Sequence, residues 1–134
     1  MATIQQQFEV DAPAEEVWAA LRDFGAVHEK LATGFVTACV LEEEGAVRLI
    51  TFANGMQVRE RLVTLDDAAK RIVYSASGGR TTHHNAAAQV LALGPQRCRF
   101  VWTTDLLPDA MAPAITQMMA SGAKAMQARL TPAR

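Results

Sequence analysis

The stretch that decides the fold reads Val47-Arg48-Leu49-Ile50-Thr51-Phe52-Ala53-Asn54-Gly55-Met56-Gln57-Val58-Arg59-Glu60-Arg61-Leu62-Val63-Thr64. Its second half alternates as a strand does. Met56, Val58, Glu60, Leu62 and Thr64 share one face, and Gln57, Arg59, Arg61 and Val63 share the other, because successive strand side chains point to opposite sides of a sheet. The arginines belong in water. The first face is therefore the inner one, and Glu60 goes inside with it. A carboxylate turned inward needs a partner, a cavity with water, or a raised pKa. The inside of this sheet becomes the candidate site.

Asn54-Gly55 between two alternating segments reads as a two-residue type I′ hairpin loop. That loop sets Ala53 opposite Met56, Thr51 opposite Val58, Leu49 opposite Glu60 and Val47 opposite Leu62, all on the expected inner face. It also sets Arg48 opposite Arg61 on the outer face, where like charges destabilise a pair of strands. The acids Glu42, Glu43 and Glu44 are near enough in sequence to help neutralise them; otherwise they read as a solvated turn.

Working outward, strands are expected at 34–42, 46–53, 56–65, 70–77, 84–93 and 97–105. The turns between them carry Glu44-Gly45, Asn54-Gly55, Asp66-Asp67, Gly78-Gly79 and Gly94-Pro95. Residues 3–10 precede them as a first strand. Asp11 is then a plausible N-cap, Pro13 suits a first helical turn, and Glu15 and Glu16 suit the positive end of a helix dipole. The apolar stripe of that helix is Val17, Trp18, Leu21 and Phe24. Gly25 breaks it, and a short second helix follows over 26–32. Pro108 and Asp109 open a last helix that runs to about residue 130, with Pro113 in its first turn.

The order is strand, two helices, six strands, long helix. An antiparallel sheet of this size must curl or bury its apolar face, and only the last helix is large enough to cover it. Ile72, Tyr74 and Ala76 form one expected inner face, and Cys98, Phe100, Trp102 and Thr104 another. Ala86, Ala87 and Ala88 leave the facing of 84–93 ambiguous, and small residues there leave room for helix side chains or a ligand. The last helix carries Met111, Ile115, Met118, Met119, Gly122 and Met126 at helical spacing. A methionine-rich face re-packs around varied apolar shapes; it reads as core or as cavity wall.

The 134 residues suit one domain spanning the chain, 1–134. Half are hydrophobic and a fifth charged, with 13 basic against 14 acidic residues, which gives no footprint for nucleic acid. The start lacks the basic and apolar regions of a signal peptide, and no run approaches the ~18 apolar residues of a membrane span, so no integral membrane association is expected. Cys39 and Cys98 form no metal or redox motif and read as buried free thiols of a cytoplasmic protein, with a disulfide left open. His83 and His84 point opposite ways on a strand with no third ligand in register, so no metal is expected there. They read as loop or cavity-mouth histidines, and His28 could guard the cavity entrance. Gly78-Gly79 is a turn and not a phosphate loop, since no helix N-terminus follows it. Ser75, Ser77 and Ser121 lack a nucleophile elbow. No cofactor is implied, and the sequence does not decide between a monomer and a homodimer.

Val47-Arg48, Asn54-Gly55, Glu60-Arg61-Leu62, Leu65-Asp66-Asp67, Tyr74, Gly78-Gly79 and the opening Ala12-Pro13-Ala14-Glu15-Glu16-Val17-Trp18 together resemble the START-like (SRPBCC) superfamily. This is the group of birch-pollen-allergen-type proteins, polyketide cyclases and abscisic acid receptors. The likeness covers essentially the whole chain and is closest to small bacterial polyketide cyclase/dehydrase and lipid transport-like proteins. It implies an α+β helix-grip fold: a seven-stranded curved antiparallel sheet wrapped around a long C-terminal helix, two short helices between strands 1 and 2, and a ligand cavity between sheet and helix. It also implies that Glu60 and Tyr74 face that cavity. The lysine that holds the hormone carboxylate in the abscisic acid receptors falls near Thr33, the gate is cut to Asn54-Gly55, and the latch segment, near Arg80–Asn85, differs. These departures argue against a hormone receptor.

The expected ligand-binding set is Glu60, Tyr74, Trp102, Val58, Leu62, Phe100, Met118, Ile115, Ala86 and Ala88. The leading expectation is binding or transport of a small hydrophobic molecule, lipid- or polyketide-like, with Glu60 and Tyr74 orienting its polar end. The alternative is a cyclase or dehydratase that uses Glu60 as acid or base with Tyr74 or a nearby histidine. A third reading is an interaction module with a filled core. In its bland reading Glu60 is a structural acid bonded to Tyr74, Trp102 or the backbone.

Overall fold

The hairpin forms, but its loop holds three residues. In the computed structural model, which describes residues 1–132, the Phe52 amide donates to the Met56 carbonyl and the Gly55 amide to the Phe52 carbonyl, each at 2.9 Å. Gly55 takes a φ of +87°, where glycine carries no Cβ penalty. This is a type I turn closed by a left-handed glycine, the common three-residue hairpin loop. Strands β3 (Val47–Phe52) and β4 (Gln57–Asp66) therefore pair Ile50 with Val58, Leu49 with Arg59, Arg48 with Glu60 and Val47 with Arg61.

A register change of one residue moves every side chain of a strand to the other face. Phe52, Ile50 and Arg48 thus face inward and are buried, in place of the expected Ala53, Thr51, Leu49 and Val47. The expected clash of Arg48 with Arg61 does not arise, because Arg48 lies opposite Glu60. The facing of β4 is unaffected: Glu60 is inside, as its alternation requires.

Strands β1 (Ala2–Val10), β2 (Val36–Glu42), β5 (Arg71–Ser77), β6 (His83–Gly94) and β7 (Arg97–Leu107) complete one antiparallel sheet in the order β1-β7-β6-β5-β4-β3-β2. Register shifts interrupt the β2–β3, β4–β5 and β6–β7 ladders. Such irregularities bend a strand and sharpen its twist, which curls the sheet around helix α2 (Ala112–Leu130). This is the helix-grip arrangement. The helix buries Ile115, Met119, Gly122, Ala123 and Met126. A Cβ on Gly122 would stand 3.1 Å from the Phe35 ring and 3.2 Å from Trp102, so glycine allows α2 to lie this close to the sheet.

The inner faces expected for β5 and β7 are buried except at the half-buried Ala76, and β6 resolves with Ala86, Ala88 and Val90 inward. Helix α1 (Ala14–Arg22) starts later than the Asp11 cap implied. Pro13, extended at ψ 143°, is the N-cap, no side chain caps the helix, and the Glu16 and Val17 amides bond the Pro13 carbonyl. Trp18 Nε1 and Arg22 Nε both donate to Asp67 Oδ1, at 2.9 and 2.8 Å, fastening α1 to the β4–β5 turn. The second helix is a 3-10 turn over Phe24–Ala26 followed by a π turn over Val27–Leu31. Cys39 is half-buried and Cys98 buried, and both are free thiols. No helix among the described residues is long and apolar enough to cross a membrane.

Candidate functional site

Register places a guanidinium and a carboxylate side by side beneath the sheet. Arg48 and Glu60 are 5% and 7% exposed. Arg48 Nε donates to Glu60 Oε1 at 2.8 Å, and Nη2 lies 2.7 Å from the same oxygen. Nη1 donates to the Phe24 carbonyl at 3.1 Å. The guanidinium also lies over two rings, 4.0 Å from the centroid of Phe24 and 5.1 Å from that of Tyr74. Charges taken from water this far need such compensation from several sides. The inward carboxylate is therefore met by an ion partner, not by the Tyr74 or Trp102 bond that a purely structural reading expected. Those two bond each other, with Trp102 Nε1 donating to the Tyr74 hydroxyl at 3.1 Å.

Burial, and then the nearby Glu60 charge, push the Tyr74 hydroxyl well above its ordinary pKa, against the opposing pull of Arg48 and the Trp102 bond. Tyr74 is thus a phenol at any physiological pH and keeps its proton to donate. His84 projects from the inner face of β6. Burial lowers its pKa, while the Glu60 charge pulls it back up and His83 pushes it further down. Near neutral pH it is an uncharged imidazole, able to accept a proton at one nitrogen and donate a hydrogen bond from the other.

Two chambers meet at these side chains. The inner one is about 50 Å³ and lies between α2 and the middle of the sheet, walled by Arg48, Tyr74, Ala88, Phe100, Trp102 and Met119 among others. It holds a few waters at most, by the rule of roughly 10–15 Å³ for each. The outer one is about 330 Å³ and is framed by the β3–β4 loop, the β5–β6 loop and the start of α2, with Asn54, Met56, Val58, Ala76, Arg80, Met111, Ala114 and Ile115 in its walls. Phe52, Glu60, His84 and Met118 line both and form the partition. Of these two, the outer chamber reaches the ~300 Å³ at which ligand sites begin and the inner one does not.

The expected set divides accordingly. Tyr74, Trp102, Phe100 and Ala88 wall the inner chamber, Val58 and Ile115 the outer, and Glu60 and Met118 stand between them. Leu62 and Ala86 line neither. Leu62 lies beside the β4–β5 irregularity and packs, half-buried, against the core, and Ala86 is sealed in the sheet between Tyr74 and Thr104. His28 lines neither chamber. His84 lines both. Sequence reasoning missed Arg48 and Phe52 through the register; it put Ala76 on the inner face but not in the ligand-binding set, although Ala76 pairs with Glu60 and lines the outer chamber. The signal for Arg48 was available: the unfavourable Arg48–Arg61 pairing was a reason to doubt a two-residue loop. Among the described residues no cluster of His, Cys, Asp or Glu could hold a metal ion.

A curved sheet gripping a helix over a partly polar chamber defines a class of ligand-binding folds. The sequence matches the profile of the "Polyketide cyclase / dehydrase and lipid transport" family over residues 1–131, and the chain belongs to that family. No curated protein is significantly similar in sequence. An uncharacterised protein from Bacillus thuringiensis is similar at 21% identity and a TM-score of 0.86, covering 96% of this chain and 98% of that one. Norcoclaurine synthase from Thalictrum flavum, in a complex with dopamine and hydroxybenzaldehyde, matches at 19% identity and 0.71, covering 95% and 84%. BexL, a di-domain aromatase/cyclase of the BE-7585A biosynthetic pathway, matches at 17% and 0.83, over 96% of this chain and 46% of BexL. At these identities the likeness is one of fold; the family match supports a ligand-binding or cyclase-type role.

Proposed function

We propose that the chain binds a small, largely apolar molecule in the outer chamber, with the Arg48–Glu60 pair at its inner end orienting the ligand's polar group. The observation that carries this reading is the placement of a nine-tenths-buried carboxylate in the wall of a 330 Å³ chamber otherwise lined mostly by apolar side chains. Burial against Met56, Val58, Met111, Ile115 and Met118 would hold the ligand body, at ~25 cal/mol for each Å² removed from water. The methionines would adapt to its outline. The chamber suits a ring system or short chain of the lipid- or polyketide-like kind. Two free thiols fit a reducing cytoplasm.

The cyclase-type alternative rests on one specific observation. His84, held neutral by burial, shares the partition with Glu60 and feels its charge. An uncharged imidazole beside a carboxylate could shuttle protons on a substrate held in the same chamber. The alternative requires turnover that His84→Gln abolishes while binding survives.

The test is native mass spectrometry of the protein purified from its own host, beside an Ala76→Phe variant that fills the chamber from the β5 side. The reading expects a retained small molecule on the native protein and none on the variant. Equal retention by both would place the ligand elsewhere and overturn it.

A further inference from the structure

Two hydrogen-bonding facts at the partition narrow the ligand's chemistry. First, the guanidinium is already used. Nε and Nη2 converge on one carboxylate oxygen, Nη1 bonds the Phe24 carbonyl, and the rings of Phe24 and Tyr74 lie against it. A ligand carboxylate would have to compete with Glu60 for donors in a group only 5% exposed. Second, the carboxylate is half used. No hydrogen bond among the described residues reaches Glu60 Oε2. That oxygen is also not one of the sealed, unpartnered polar atoms, which are His28 Nδ1 and Thr104 Oγ1. It therefore keeps accessible surface in the wall that the two chambers share.

An ionised carboxylate oxygen only accepts hydrogen bonds. Arg48 balances its charge, so the couple is neutral. A cationic donor would leave a net positive charge in a poorly hydrated site, at a desolvation cost that a neutral donor avoids. We infer that the ligand presents a neutral hydroxyl, a phenol or an enol or alcohol on an apolar body, and donates it to Glu60 Oε2. This inference rests on the chamber reading above and deepens it. Arg80 also borders the outer chamber but is exposed, on the β5–β6 loop. A carboxylic acid would be held there, at the rim in water, where such a contact is weak.

The experiment titrates the protein with 2-naphthol, 2-methoxynaphthalene and 2-naphthoate, three probes of one ring system that differ in the head group. A charge-assisted hydrogen bond in a buried site predicts that naphthol binds about tenfold more tightly than its methyl ether. It also predicts that this preference vanishes in an Arg48→Met/Glu60→Leu double variant, which removes the pair without stranding a charge. If that variant does not fold, the naphthol–ether comparison on the native chain decides alone. Equal binding of naphthol and ether, abolished by Ala76→Phe, would overturn the hydroxyl proposal and leave the chamber reading standing. The same holds if naphthoate binds tightest and loses its advantage in Arg80→Ala. Binding of none of the three would overturn both.

Discussion

Strand β4 carries three charged side chains in a row, and they live in different worlds. Arg59 and Arg61 point outward and meet Glu42 at 2.9 Å and Glu43 at 3.0 Å. Glu60, between them, points inward and meets Arg48 at 2.7 Å. The distances hardly differ. The arginine side chains of the outer pairs are more than half exposed, at 59% and 54%, whereas both side chains of the inner pair are under a tenth exposed. Exposed pairs exchange one hydrated state for another and are worth little. A buried pair is costly to assemble and more costly to break, so it persists only where geometry or function holds it. Distance alone does not separate a surface decoration from a site; the face of the strand does.

The largest effect should come from breaking the inner pair on one side. Glu60→Ala strands the Arg48 guanidinium and is expected to lower unfolding free energy by about 3–5 kcal/mol in denaturant titrations. Glu42→Ala, its counterpart outside, is expected to cost no more than about 1 kcal/mol. The Arg48→Met/Glu60→Leu double replacement should recover most of the loss, since apolar groups of similar volume often replace a buried pair without penalty. A double variant as unstable as Glu60→Ala would show that the destabilisation does not come from a stranded charge.

A middle-sized effect tests the packing behind the site. Gly122→Ala gains up to ~1 kcal/mol of helix propensity. Its methyl, however, meets Phe35 at 3.1 Å and a Trp102 ring that its bond to Tyr74 holds in place. A net loss of about 1 kcal/mol with a shifted tryptophan emission is expected, and a gain in stability with unchanged emission would show that the wall yields freely.

The smallest effect is a pH slope. His84 has a folded-state pKa below its ordinary 6.5, with burial the main cause and Glu60 and His83 the charges it feels. The unfolded chain then binds its proton first, so stability is full above pH 6.5 and falls as pH drops through the lowered value. His84→Gln should flatten that slope below pH 6.5 relative to the native chain, as followed by thermal unfolding at a series of pH values. Parallel curves would remove His84 from the account.

The element order, the curled sheet under the last helix and the inward turn of Glu60 were legible in the sequence because each rests on a period: two for strands, 3.6 for α2. The partner of Glu60 was not, because it depends on counting one loop. Asn-Gly serves both a two-residue loop and the tail of a three-residue loop, and the dipeptide does not say which. The side chains did say. Counting three residues buries Phe52 and Ile50 and sets Arg48 against Glu60, whereas counting two buries Ala53 and Thr51 and sets Arg48 against Arg61. The division into two chambers was not legible at all, since Phe52, Glu60, His84 and Met118 come from four separate elements. Their meeting depends on how far the sheet curls.

The central claim is that the inner pair belongs to a ligand chamber and the outer pairs do not. Calorimetric titration of 2-naphthol into the native chain, Glu42→Ala and Ala76→Phe tests it most directly. The account predicts equal saturable binding by the first two and none by the third. Undiminished binding by Ala76→Phe, or loss of binding in Glu42→Ala, would contradict it.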